Sequence, residues 1–157
     1  VTPVRRQHQI YIERPVEVVF EFVTDLKNHS RLALPGQPEE VLTQRTSPLD
    51  EGVCITYDGG PFKFRTLEVS EFHVPYAFAE LQIEGGFTAW THRRKLSKFQ
   101  DGTLLTDIVE YELPAGALGA LANKMWLGRT VDEWVRHRHN ETKRILERIG
   151  RIKGPGK

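Results

Sequence analysis

One cysteine, Cys54, stands alone in 157 residues. No internal disulfide can form and no cysteine-based metal cluster can be built. Cys54 itself lies in a strand-like segment and reads as a small apolar residue. Neither sign of charge prevails: Lys plus Arg is 22 and Asp plus Glu is 21, a net charge of +1. That balance gives no global drive toward nucleic acid or an acidic membrane. No apolar run approaches the about 20 residues of a membrane span, and no signal-peptide pattern opens the sequence. Internal repeats and low-complexity blocks are also missing. A cytoplasmic location is therefore the expectation. The composition, 39% hydrophobic and 27% charged, is ordinary. The length favours one domain around one core, over 1–150. The basic, glycine-rich RIKGPGK, 151–157, is expected to be a disordered tail.

What is present is a change of period along the chain. HQIYI, 8–12, alternates as a strand does. Pro15 then suits the start of a helix, whose apolar face is Val16, Val19, Phe20 and Val23. A second short helix is expected over DLKNHSRL, 25–32, capped by Asp25 and ended by ALPGQP. From about 39 to 113 come short alternating runs separated by SPLDE, GGP, VP, GG and QDG, the spacing of consecutive antiparallel hairpins. After Pro114 an apolar helical stripe runs through Leu118, Leu121, Ala122 and Met125. It resumes in Val131, Trp134, Val135, Arg138, Thr142, Ile145, Leu146 and Ile149, with a kink expected at Gly128. Such a helix, roughly 30 residues and about 45 Å long, can cross a whole sheet. One long helix on a curved antiparallel sheet of six or seven strands is an α+β arrangement.

WTHRRKL, 90–96, carries the main functional question. Period two places Trp90, His92, Arg94 and Leu96 on one face. An Asp101-Gly102 turn would set His92 opposite Tyr111, Arg94 opposite Val109 and Leu96 opposite Asp107. Diagonal contacts then bring Arg94 to Asp107 and Tyr111 to His92. The other face is mostly polar, so the His92–Asp107 face is the inner one. A two-residue Gly85-Gly86 turn would add Leu81, Ala79 and Ala77 opposite Trp90, His92 and Arg94. A bulge there would instead bring Glu80 and Gln82 inward.

These residues resemble a known family. IERPVEVVFEFVTDLKNHSRL is similar to the first part of START/polyketide-cyclase (SRPBCC) domains. GGFTAWTHRRKLSKFQDGTLLTDIVEYELPAGALGALA looks like the second half of their bacterial ligand-binding, cyclase/dehydrase-like branch. The matched positions are Gly85, Phe87, Trp90, His92, Gly102, Thr103, Asp107, Tyr111, Pro114 and Gly116. Three positions depart from the pattern: Gly86 replaces a proline, Arg94 a second histidine and Glu80 an aspartate. The resemblance implies a helix-grip fold with a hydrophobic cavity between the sheet and the last helix. It implies no single reaction.

Two functions from different classes fit. The first is binding of a small hydrophobic molecule, aromatic or polyketide-like. Phe87, Trp90, Leu121, Met125 and Trp134 would line the cavity, and His92, Arg94, Asp107 and Tyr111 would orient the polar end. The second is a cyclase, aromatase or dehydratase with His92, Asp107 and Tyr111 as acid–base groups and no metal or organic cofactor. The bland reading of that trio is a network holding two strands in register. Arg94 is read either as a carboxylate anchor or as Asp107's salt-bridge partner. Arg138 is expected at a pocket rim and His137 and His139 on a solvated face, their spacing fitting no zinc motif. A protein-interaction module is a third, weaker reading. No nucleic-acid partner is expected, and the chain is read as a monomer or homodimer.

Overall fold

The structure is a computed structural model that describes residues 3–45, 47–114 and 120–152, and the side chains of those except 120–123. Its elements are β1 (Val4–Ile12), α1 (Val16–Thr24), β2 (Glu39–Val41), β3 (Cys54–Gly59), β4 (Arg65–His73), β5 (Ala77–Glu84), β6 (Ala89–Phe99), β7 (Gly102–Glu112) and α2 (Ala120–Ile152). The strands form one antiparallel sheet in the order β1-β7-β6-β5-β4-β3-β2. The sheet curls round α2, giving the α+β helix-grip architecture expected from the sequence.

Alternation explains which side faces in. β7 buries Thr103, Leu105, Asp107, Val109 and Tyr111 and leaves the residues between them half-buried. β6 buries Trp90, His92, Arg94 and Leu96, with exposed residues between them. α1 follows Pro15 and buries Val16, Val19 and Phe20 against the same core. The second short helix resolves into two 3₁₀ turns, Leu26–Asn28 and Ser30–Leu32, with Asp25 accepting from the Lys27 amide at 3.0 Å.

α2, 33 residues and hence about 50 Å long, presents Leu127, Val131, Trp134, Val135, Ile145 and Leu146 to the sheet. Gly128 has a packing role: a Cβ there would collide with the Arg6 guanidinium of β1. The expected kink is not needed to explain it. The helix continues through Arg151 and Ile152, two residues into the expected tail. Gly116 and Leu118 lie outside the described residues, as do 153–157. Cys54 lies in a strand as expected, and it is solvent-exposed there on β3.

Candidate functional site

Register decides what the inner face holds. The β6–β7 turn is Gln100-Asp101, with Gln100 in the left-handed region at φ 51. Gly102 is already in β7, pressed against the Ile12 carbonyl where a Cβ would clash. Pairing is thus shifted by two from the expected register: Trp90 faces Tyr111, His92 faces Val109 and Arg94 faces Asp107. A shift of two preserves the faces, so the inner set is the expected one. On the other side, Glu80 pairs with His92 and Phe78 with Arg94. This is the one-residue shift that brings Glu80 inside. The alternative with Ala77 and Ala79 beside the polar pair is overturned. The connection is four residues, 85–88, rather than two.

Three buried carboxylates then organise the interior. Asp107 bridges two imidazoles: His92 Nε2 donates to Oδ2 at 2.6 Å and His139 Nε2 to Oδ1 at 2.8 Å. Glu80 accepts from the Tyr57 hydroxyl at 2.5 Å and from Arg94 Nη1 at 3.0 Å. Glu39 accepts from Arg65 Nη2 at 2.8 Å and from Trp134 Nε1 at 2.9 Å. Arg138 Nη1 and His29 Nε2 stand 3.6 and 3.4 Å from the Glu39 oxygens. Arg94 also lies 4.8 Å over the Phe78 ring, and Arg138 5.1 Å over the Trp134 ring.

Three guanidiniums therefore face three carboxylates inside the sheet. Burial works to raise each carboxyl but is outweighed. His29, Arg138 and Arg65 hold Glu39 far below the usual carboxylate range. Arg94 and Tyr57 lower Glu80. His139 and His92 hold Asp107 well below its ordinary value. Burial and Arg94 together outweigh Asp107 at His92 and lower its pKa, favouring the neutral ring. Burial and then Arg138 lower His29 to about 4. Burial pushes the Tyr57 phenol well up, with Glu80 adding to it.

Tyr111 belongs elsewhere. Its ring stacks on Trp90 with centroids 6.0 Å apart, and Phe87 packs on it at 5.6 Å. Its buried hydroxyl makes no hydrogen bond among the described residues, to His92 or otherwise. Asp107 pairs with His92 rather than with Arg94, whose partner is Glu80.

An aromatic column runs from this network to one end of the sheet. His92 abuts Trp134 at 5.4 Å, Trp134 abuts Phe62 at 5.1 Å, and Phe62 packs on Trp90 at 4.9 Å. Phe87 closes the column against Trp90 at 4.9 Å. Beyond it lies an apolar pocket of about 340 Å3 lined by Pro61, Phe62, Gly86, Phe87, Leu113, Trp126 and Leu127. Within the sheet, by contrast, the voids beside Arg94 and Arg138 measure only about 20 Å3 each. Between sheet and helix, where the resemblance implies a hydrophobic cavity, the described residues place these charged side chains and two small voids. Trp90 and Trp134 are buried under the pocket. Met125 points outward, 55% exposed, and the Leu121 side chain lies outside the described residues.

Several members were missed. Arg138 and His139, expected at a rim and in solvent, are buried partners of Glu39 and Asp107. They sit one turn after Trp134 and Val135, so the stripe's period contained the signal. Glu39, Arg65, Tyr57 and His29 come from β2, β3, β4 and the 3₁₀ turns, and no local spacing joins them. The left-handed Lys63, φ 58, lies between Phe62 and Phe64, burying Phe62 and leaving Phe64 exposed. Among the described residues no group of three or more His, Cys, Asp or Glu is placed to hold a metal ion. No helix there is long and apolar enough to cross a membrane.

A long helix gripped by a seven-stranded sheet, with aromatic side chains between them, is the fold of the START/polyketide-cyclase superfamily. No family model and no curated protein matches the sequence. Solved structures do match. The Zhui aromatase/cyclase from a Streptomyces species aligns with TM-score 0.73 at 15% identity, covering 98% of this chain and 99% of that one. The di-domain aromatase/cyclase StfQ of the steffimycin pathway aligns with TM-score 0.75 at 13% identity, covering 95% of this chain and 52% of its own. A START superfamily protein from Mycobacterium smegmatis aligns with TM-score 0.64 at 13% identity, covering 90% and 98%. At these identities the likeness is one of fold.

Proposed function

We propose that the protein binds a small, uncharged, ring-shaped apolar molecule in the pocket between Phe62, Phe87, Trp126 and Leu127. The observation that carries this reading is the pocket's lining: no charged side chain, three aromatic rings, and a volume of about 340 Å3. Ligand pockets are mostly apolar and begin at about 300 Å3. Trp126 is 62% exposed, an unusual state for a tryptophan without a partner. The fold's relatives, a START superfamily protein and aromatase/cyclases, support hydrophobic-ligand binding or cyclase chemistry without choosing between them. His92, Asp107 and His139 act here as a buried network that fixes β6, β7 and α2 together, while Arg94 and Glu80 tie β6 to β5.

The cyclase reading, with His92, Asp107 and Tyr111 as acid–base groups, requires a substrate at His92. Voids of about 20 Å3 hold a water-sized guest only. Titration with a neutral naphthalene-type probe, followed by tryptophan fluorescence, tests the proposal. Trp126→Ala and Phe87→Ala should each weaken binding at least tenfold, whereas His92→Gln should leave it within twofold. Loss of binding in His92→Gln alone, in a folded variant, would move the site into the interior.

A further inference from the structure

The connection between β5 and β6 supplies part of the apolar pocket's wall, through Gly86 and Phe87. Its course is fixed on both sides of Gly86. Gly85 lies against the Gln82 side chain and the Arg65 Cβ, so close that a Cβ of its own would collide with the Gln82 carboxamide. That carboxamide is in use: its nitrogen donates to the Phe87 carbonyl at 2.9 Å. A glycine at 85 therefore keeps Gln82 bonded to Phe87. Phe87 is further held by its ring, with centroids 4.9 Å from Trp90 and 6.0 Å from Phe62. The Thr88 amide then donates to the Glu112 carbonyl at 3.0 Å.

Gly86 has no such duty. A Cβ built on it meets nothing within 4 Å. Its φ lies outside the left-handed region that Gly36, Gly52, Gly59 and Gly60 occupy. An L side chain fits this backbone without strain. Exchanging the glycine would also take conformational freedom from the unfolded chain, which favours the fold. Neither packing nor backbone geometry accounts for a glycine here.

What Gly86 does border is the pocket. Of the seven lining residues, six carry apolar side chains and Gly86 carries none. The wall at that point is bare backbone with open space over it, beside a Phe87 that is pinned in place. The pocket's volume of about 340 Å3 falls in the range that buries drug-sized ligands, more than a two-ring molecule fills. A flat ring system can extend across the gap at Gly86, and a side chain there would shorten the space available to it.

We infer, given that the end pocket is the ligand site, that Gly86 is its size-determining residue and that the ligand is a polycyclic molecule reaching across the Gly86 backbone. Gly86 acts by having no side chain. In an apolar pocket one methylene too many discriminates by about 10- to 200-fold, so filling the gap separates long ligands from short ones.

Titration of the full chain with a two-ring probe, naphthol, and a three-ring probe, phenanthrol, tests the inference. The parent should bind both, phenanthrol the more tightly. Gly86→Leu should weaken phenanthrol by about tenfold or more and leave naphthol within about threefold. Gly86→Ala should fall between parent and Gly86→Leu. Neither variant should lower Tm, since no neighbour is displaced. Gly86→Leu binding phenanthrol as the parent does, or losing both probes equally, would overturn the inference while leaving the end pocket as the ligand site. A marked drop in Tm in both variants would overturn it too, because the space over Gly86 would then be filled. A parent that binds neither probe would sink the end-pocket reading and the role of Gly86 with it.

Discussion

Glu80→Leu should leave Arg94 as a lone guanidinium inside the sheet. The two side chains are 1% and 9% exposed, and Glu80 Oε2 at 3.0 Å is the hydrogen-bond acceptor of Arg94 Nη1. Removing one member of a buried ion pair costs about 3–5 kcal/mol. The same substitution strands the Tyr57 hydroxyl, buried against Glu80 Oε1, at a further cost of about 1–3 kcal/mol. The sum, about 4–8 kcal/mol, is comparable with the whole stability of an ordinary domain, about 5–15 kcal/mol. The single variant should therefore unfold at very low urea or not fold at all. Replacing the set together, Glu80→Leu with Arg94→Met and Tyr57→Phe, removes every stranded group. Buried pairs exchanged for packed apolar residues are often neutral, so the triple variant should return to within about 2 kcal/mol of the parent. Urea unfolding by circular dichroism measures both, and equal m-values would show that the same surface is exposed. A triple variant as unstable as the single one would refute the reasoning, as would a single variant within about 1 kcal/mol of the parent.

Acid should weaken the fold before any carboxylate titrates. His29 is about 4 folded against 6.5 unfolded, so between these values the unfolded chain binds the extra proton. Its contribution is complete above about pH 6.5 and falls by roughly 3 kcal/mol as pH drops to 4. His92 is lowered by burial and acts in the same direction. The depressed Glu39, Glu80 and Asp107 add a second loss below the unfolded carboxylate range, as pH falls through their folded values. Calorimetry should give a Tm that declines from pH 6.5 to 4, with a shallower slope in His29→Gln; a flat curve would contradict the burial of His29. Gly102→Ala should cost about 1–3 kcal/mol, because its methyl meets the Ile12 carbonyl, which is backbone and cannot swing aside. A Gly102→Ala variant as stable as the parent in urea would show that β1 and β7 are less tightly apposed.

The fold was legible because two signals recur along the chain. Period-two runs between turn residues marked β3 to β7, and the stripe from Val131 to Leu146 marked α2. The inner face of β6 was legible for the same reason, and even a wrong turn at Asp101-Gly102 preserved it, since the error was two residues. At Gly85-Gly86 the sequence left two registers open, one residue apart, and the observed one places Glu80 inside. Nothing local in the sequence distinguishes a two-residue glycine turn from a four-residue connection. The result explains two departures from the family pattern at once. Arg94 in place of a histidine and Glu80 in place of an aspartate are hydrogen-bond partners of each other.

The rest of the network is long-range. Glu39 meets Trp134 across 95 positions of sequence and Arg138 meets His29 across 109. Such pairs follow from the sheet curling over α2, not from any spacing. The charged groups also changed the functional expectation. A histidine and an arginine on an inner face suggested a cavity with polar contacts for a ligand. Three carboxylates bonded to arginine, histidine, tyrosine and tryptophan side chains fill that space instead, and the apolar space lies beyond the aromatic column, at Phe62 and Phe87.

The most direct test is a crystal structure of the protein with a bound naphthalene-type probe. Density for the probe between Phe62, Phe87 and Trp126, with Asp107 still bonded to His92 and His139, is the expected result. A probe lodged against His92, with the Asp107 and Glu80 contacts displaced to make room, would contradict both the end-pocket assignment and the structural role of the charged interior.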